Sequence, residues 1–200
     1  MTAYFSANSQ DAKKAALHGM QKRAATRGFV TPNLKKARPD DLELCWGHRL
    51  AFVQLNELPE NGSIRAAARI SGWRFFVVES GVPIAAAHVM RDVQGEFRLS
   101  ELNEGQFVAG TLEALKDVFG EFGGDSKDET RLPPFELLLL VAPAVCFVGW
   151  WLQFEDQRYD WIVPVSPTFS SIKSKRLAPK ELVRALKEEY EHAAQVMETS

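Results

Sequence analysis

LLLLVAPAVCFVGWWL, residues Leu137–Leu152, runs for sixteen positions without a charged side chain. Its reading decides the fold. A membrane-spanning helix needs roughly 20 apolar residues. Here Glu136 and Gln153 close the run early, and Pro143 stands near its middle, where a helix would lose a hydrogen bond and meet a steric clash. Acidic residues flank it on both sides: Asp128 and Glu129 before, Glu155, Asp156 and Asp160 after. Basic residues would be expected beside a span. The run therefore predicts two buried strands, Phe135–Val141 and Val145–Phe154, broken at Pro143. Apolarity without alternation means that both faces of a strand are covered. Trp150 and Trp151 then point to opposite faces, and Cys146 reads as a small buried hydrophobe.

Upstream, Trp73–Glu79 (WRFFVVE) is aromatic and β-branched, Ser80-Gly81 is a turn signal, and Val82–Met90 returns as a partner strand. Pro83 confines the start of that strand to an edge or an unpaired position. After Gln94-Gly95, Glu96–Leu102 alternates, with Phe97, Leu99 and Glu101 on one side. The segment Leu42–Leu58 fits a strand or a short helix. Pro59 and Asn61-Gly62 mark a turn, and Ser63–Ile70 reads as a short alanine-rich helix. Trp161–Val165 is a last short strand, and Pro164 suits a sheet edge.

Three longer helices are expected. Residues 8–27 form the first, capped by Asn8 or Ser9 and ended by Gly28. Its apolar side is Ala12, Ala16, Met20 and Ala24, and Gly19 costs it about 1 kcal/mol against alanine. The second follows a capping box of Asn103 and Gln106 and carries Val108, Leu112, Leu115 and Phe119. The third starts with Pro179 at its first position, with the stripe Leu182, Val183, Leu186, Tyr190, Ala193 and Met197. Together these give an α+β fold: a mainly antiparallel sheet of about five or six strands with helices on one face, preceded by a basic helical arm. The domain organisation is residues 1–41 as arm and linker, the linker being the proline-containing Thr31–Asp41, and residues 42–200 as the α+β domain.

The net charge of −2 over 200 residues conceals a division. Residues 1–38 hold Lys13, Lys14, Lys22, Arg23, Arg27, Lys35, Lys36 and Arg38 against a single acid, Asp11, for a net of +7; the rest of the chain carries −9. The eight basic residues are the candidate partner-binding set.

Recognisable catalytic chemistry is sparse. His18, His48, His88 and His192 are far apart, with no HExxH, paired CxxC or Cys/His ligand spacing, so no metal site is expected. P-loop, GxGxxG and GxSxG patterns are missing, and no cofactor is expected. Asp125, Asp128 and Glu129 lack the spacing of a calcium loop. Cys45-Trp46-Gly47-His48 is the one local hint of a thiol–imidazole pair, and it matches no thiol-enzyme signature. The opening decapeptide has neither a basic nor an apolar signal region, so a cytoplasmic protein is expected.

The best reading is a small binding or accessory protein acting through protein–protein contacts or self-association, not an enzyme. The alternative rests on element order. A helix, a three-strand meander, a helix starting beside Gly105-Gln106 and a buried strand broadly resemble the acyl-CoA N-acetyltransferase layout. That resemblance implies a pyrophosphate bound by backbone amides at the helix start. Residues 103–110 (NEGQFVAG) depart from the family's Gln/Arg-x-x-Gly-x-Gly/Ala pattern, and Glu104 sets a negative charge where phosphate would lie. A nucleic-acid role through the arm is the third reading. The arm lacks interleaved aromatics, and the body is acidic.

Overall fold

The structure is a computed structural model and describes residues 9–26, 28–58, 63–123, 133–169, 171–172 and 175–198. In chain order they form α1 (Ser9–Thr26), α2 (Pro32–Lys36), β1 (Leu42–Val53), α3 (Ile64–Ala67), β2 (Ala68–Glu79), β3 (Val82–Arg91), β4 (Phe97–Asn103), α4 (Gln106–Gly123), β5 (Phe135–Ala142), β6 (Phe147–Phe154), β7 (Trp161–Pro164) and α5 (Pro179–Glu198). The strands make one sheet in the order β4-β3-β2-β1-β5-β6-β7. Pairs β2–β3, β3–β4, β5–β6 and β6–β7 are antiparallel. The fold is α+β, with seven strands where five or six were expected. The additional one is β1, whose pattern is interrupted at Trp46. That residue takes φ 48°, and the break spoils the two-residue alternation that marks a strand.

Two compact units emerge from the contacts. Among the described residues, one joins residues 9–50 with Ser71–Ala109; the other joins Ala51–Ile70 with the chain from Gly110 onward.

In the first unit, Ala12, Ala16 and Met20 of α1 are buried in a cluster with Trp73, Phe75 and Val77 of β2 and Ala85, Ala87 and Val89 of β3. Small side chains let the helix come close. A Cβ on Gly19 would stand 2.4 Å from Leu99 Cβ, so only glycine fits this crossing. The segment Thr31–Asp41 is folded. Pro32 and Pro39 start short helical turns, and Leu34 is 1% exposed in the same cluster. The two prolines are helix starters here, which a composition-based linker assignment does not distinguish. Between β2 and β3, Ser80 and Gly81 have φ of 49° and 80°, the pair of left-handed residues a two-residue hairpin needs. Pro83 pairs with Val78 beside a register shift.

The expected capping box before α4 does not form. Asn103 is the last residue of β4, and the helix begins only at Gln106, after Gly105 at φ 99°. Gly105 supplies the sharp turn, and its carbonyl accepts from Val108 N and Ala109 N. The alanine-rich helix expected over Ser63–Ile70 is likewise shorter. Ser63 caps one turn of α3, and β2 begins at Ala68.

In the second unit, the apolar run is a hairpin. Leu137 pairs with Leu152 and Ala142 with Phe147, around a 3-10 turn at Pro143–Val145. Cys146 closes that turn, exposed and with φ 53°, a correction to its expected burial, because β6 begins only after it, at Phe147. Trp150 donates through Nε1 to the Thr111 carbonyl of α4 at 2.8 Å. Trp151 packs with Leu182, Val183 and Leu186 of α5, so each side of β6 carries a helix. Pro164 lies in β7, at the end of the strand order. Among the described residues, no helix is long and apolar enough to cross a membrane.

Asp160, 2% exposed, ties this unit together. It accepts from Arg65 Nε at 2.8 Å, Arg65 Nη2 at 2.6 Å, Trp151 Nε1 at 3.1 Å and Phe154 N at 3.0 Å. Four hydrogen bonds replace the hydration lost on burial, the condition under which a buried carboxylate is tolerated. Pro39, Pro179 and the Glu181 carboxylate, which accepts from Ala178 N at 2.8 Å, start their helical turns in the way local chemistry dictates.

Candidate functional site

A groove of about 940 Å³ lies within the first unit, lined by α1, the chain from Gly28 to Leu34, and β4. Its apolar lining includes Phe29, Val30, Phe97, Leu99 and Leu102. Lys22 and Arg23 of α1 and Arg98 of β4 carry positive charge along it, against Glu96. Local sequence explains the placement. Met20 buries the helix, Lys22 and Arg23 follow it toward solvent, and Gly28 at φ 69° turns the chain back so that Phe29 and Val30 reach the groove. The charges are unequal in freedom. Arg98 is paired with Asp92, whereas Arg23 Nη2 donates to the neutral carbonyl of Ser100 at 2.8 Å and keeps its full charge. β4 also ends the sheet, so among the described residues one side of its backbone has no strand partner.

The eight basic residues are not gathered in one place. Lys22 and Arg23 line the groove. Lys35 and Lys36 are exposed in the last turn of α2, directly after Leu34, which also lines it. Lys13 is partly exposed and Lys14 exposed, 3.8 Å from Asp11. Arg38 is exposed beside the Pro39 turn. Arg27 lies outside the described residues, as do Asn8, Pro59, Asn61-Gly62, Asp125, Asp128 and Glu129.

The opposite side of β2, β3 and β4 carries a row that the sequence did not disclose. Arg74 is the register partner of His88, and His88 of Glu101. The register skips Ser100, because Val89 pairs with Leu99 and His88 with Glu101. This bulge corrects the expected alternation: Leu99 shares a side with Val89, and Glu101 lies on the His88 side. The expectation failed because one extra residue inverts the parity of everything after it.

Arg74 is 4% exposed and lies over the Phe76 ring, 5.7 Å from its centre. His48 and Trp46 meet the same ring at 5.8 and 5.9 Å. His88 Nδ1 is 3.6 Å from Glu101. Burial first, and the Arg74 charge next, hold His48 down at about 3 and His88 at about 4, while Glu101 pulls His88 the other way. Burial lowers Arg74 to about 10, so it remains a cation at neutral pH.

The other candidates of the sequence resolve simply. His48 is 2% exposed, with Nδ1 against the Trp46 carbonyl at 2.8 Å, and Cys45 is partly exposed. Among the described residues, no group of three His, Cys, Asp or Glu could hold a metal ion. Glu104 accepts from Asn33 N at 3.0 Å and Leu34 N at 2.8 Å, holding the first turn of α2 across 71 and 70 residues of chain. Its negative charge therefore has a structural use beside the Gly105 turn. Comparison with protein families, curated proteins and solved structures finds no match to this chain.

Proposed function

We propose that this protein is a binding module that takes an acidic, partly apolar segment of another protein into the groove beside β4. One observation carries this reading: an apolar floor of Phe29, Phe97, Leu99 and Leu102 edged by Lys22 and Arg23, whose charges meet no carboxylate among the described residues. An extended segment suits the place, because an edge strand offers backbone groups to a chain laid beside it while alternate side chains fill the apolar floor. Lys35 and Lys36 extend the positive field toward α2 and steer an acidic partner. Lys13, Lys14 and Arg38 belong to the same basic set and contribute at longer range, and Arg27 is a member of that set by sequence. The apolar floor and the edge backbone of β4, not the partner's charge, separate this reading from nucleic-acid binding, which would use the same lysines on phosphates.

Selection from a random displayed-peptide library tests it. Enriched peptides should alternate aliphatic with Asp or Glu, shift the amide resonances of Phe97–Leu102, and lose affinity when Lys22 and Arg23 are both changed to Glu. Enrichment of basic peptides, or binding that leaves β4 unperturbed, would sink the reading. Tighter binding of a 20-nucleotide single strand than of any peptide would move the nucleic-acid role to first place. Concentration-dependent sedimentation abolished by the same double change would assign the groove to a second copy.

A further inference from the structure

Arg74 raises a separate problem, on the side of the sheet away from the groove. Among the described residues no hydrogen bond or ion pair reaches its guanidinium, and its Nε is buried without a partner. The ring of Phe76 covers one face, which offers a quadrupole but no acceptor. The nearest acid in the row is Glu101, two strands away and so roughly 10 Å distant at the usual strand spacing. That carboxylate is mostly exposed and faces His88.

Proteins do not ordinarily hold a charge out of water in this state, because the lost hydration has to be replaced by a counter-charge or by several acceptors. Here Arg74 and His48 meet one phenyl ring, His88 is the register partner of Arg74 on the next strand, and the buried Nε2 of His88 is without a partner as well. His88 keeps 18% of its side chain exposed and Trp46 is half exposed, so the cluster is not sealed from solvent. An uncompensated guanidinium fork matches one chemistry above others: two oxygens of a planar or tetrahedral oxyanion, bound side by side.

We propose that Arg74, flanked by His48 and His88, binds a small oxyanion, a carboxylate or a phosphate group, that supplies the counter-charge the chain itself omits. The inference does not depend on the peptide-binding groove, which uses other residues on the other side of β4. Arg74 provides the fork, Phe76 fixes its plane, and the histidines exclude a second cation and line the approach. Glu101, at the exposed end of the row, bars anions from resting on His88 alone.

Titration of the full chain with inorganic phosphate, and separately with sodium acetate at matched ionic strength, is the test, read by the ring resonances of the four histidines. Saturable movement of His48 and His88, with His18 and His192 unmoved, is expected for one of the two anions, and the responding anion identifies the source. Arg74→Met should weaken that response at least tenfold, and Arg74→Lys, which keeps the charge but loses the fork, should weaken it less. If neither anion moves His48 and His88 in the unaltered protein, the site does not exist, whatever the variants do. Equal movement of all four histidines would show ionic-strength effects only and would overturn the proposal too.

Discussion

Arg23 Nη2 donates to the carbonyl oxygen of Ser100 at 2.8 Å, linking α1 to the one residue of β4 that has no partner in the register with β3. The bond joins a basic side chain to the bulge that separates the two faces of β4. On the inner side, Ser100 Oγ donates to the His88 carbonyl at 3.2 Å. The bulge is held from both directions, by a helix that carries the groove's charge and by the strand that carries the oxyanion row.

Arg23→Ala should therefore alter partner binding more than stability. The bond is exposed, and surface contacts of this kind contribute about 0–1 kcal/mol. Peptide affinity should fall and lose part of its salt dependence. Calorimetry at two ionic strengths measures both. Unchanged affinity at low and high salt would remove Arg23 from the binding surface.

Gly19→Ala tests how α1 docks. In an exposed helix this change would stabilise by about 1 kcal/mol. Here the new Cβ meets Leu99 Cβ at 2.4 Å, so the helix or β4 has to shift. Overpacking of this sort costs about 1–3 kcal/mol. A gain in denaturation midpoint would show that α1 rides free of β4.

Asp160→Asn removes the charge that Arg65, Trp151 and the Phe154 amide all address. Losing one partner of a buried ion pair costs about 3–5 kcal/mol. Leu139→Ala, at a position 1% exposed in β5, should cost about 2–5 kcal/mol through the cavity it leaves. Urea denaturation separates these from the roughly 0.5 kcal/mol typical of surface changes, and values that small would contradict the packing.

Stability should fall on mild acidification. His48 and His88 titrate at about 3 and about 4 in the folded chain, against roughly 6.5 in an unfolded one. As pH drops below about 6.5 the unfolded chain takes up protons first. The stabilisation is complete above that pH and declines by about 1.4 kcal/mol per unit for each histidine until the folded values are reached. Between pH 6.5 and 5 few carboxylates titrate, so denaturation curves in that window isolate the histidines. A flat profile there, matching that of the double variant His48→Gln, His88→Gln, would contradict their burial as neutral rings.

The hairpin of Leu137–Leu152 was legible because length, a central proline and flanking charge are all local facts. So were the Ser80-Gly81 turn and the start of α5 at Pro179. Three things were not. The expected side of α1, Ala12, Ala16 and Met20, is buried, but how closely it docks depends on how near α1 comes to β3, and alanine looks the same at any depth. The positive φ of Trp46 disguised β1. The Ser100 bulge hid the Arg74–His88–Glu101 row, because a residue left out of a register leaves no mark in composition or periodicity. The basic residues were visible as a group, yet only the fold shows that Lys22 and Arg23 line the same groove as Phe97 and Leu99.

Ser100 acts on the strand as a punctuation mark acts on a sentence: the residues on either side keep their spelling and change their meaning. Deleting it would leave every other amino acid of β4 in place while exchanging inside for outside from Glu101 onward. Leu102 would then be turned away from α1, and Glu101 toward it. A library of point substitutions would rate Ser100 as an unremarkable exposed serine. A library of single-residue deletions should find it among the least dispensable positions of the chain, because what it contributes is a count rather than a side chain.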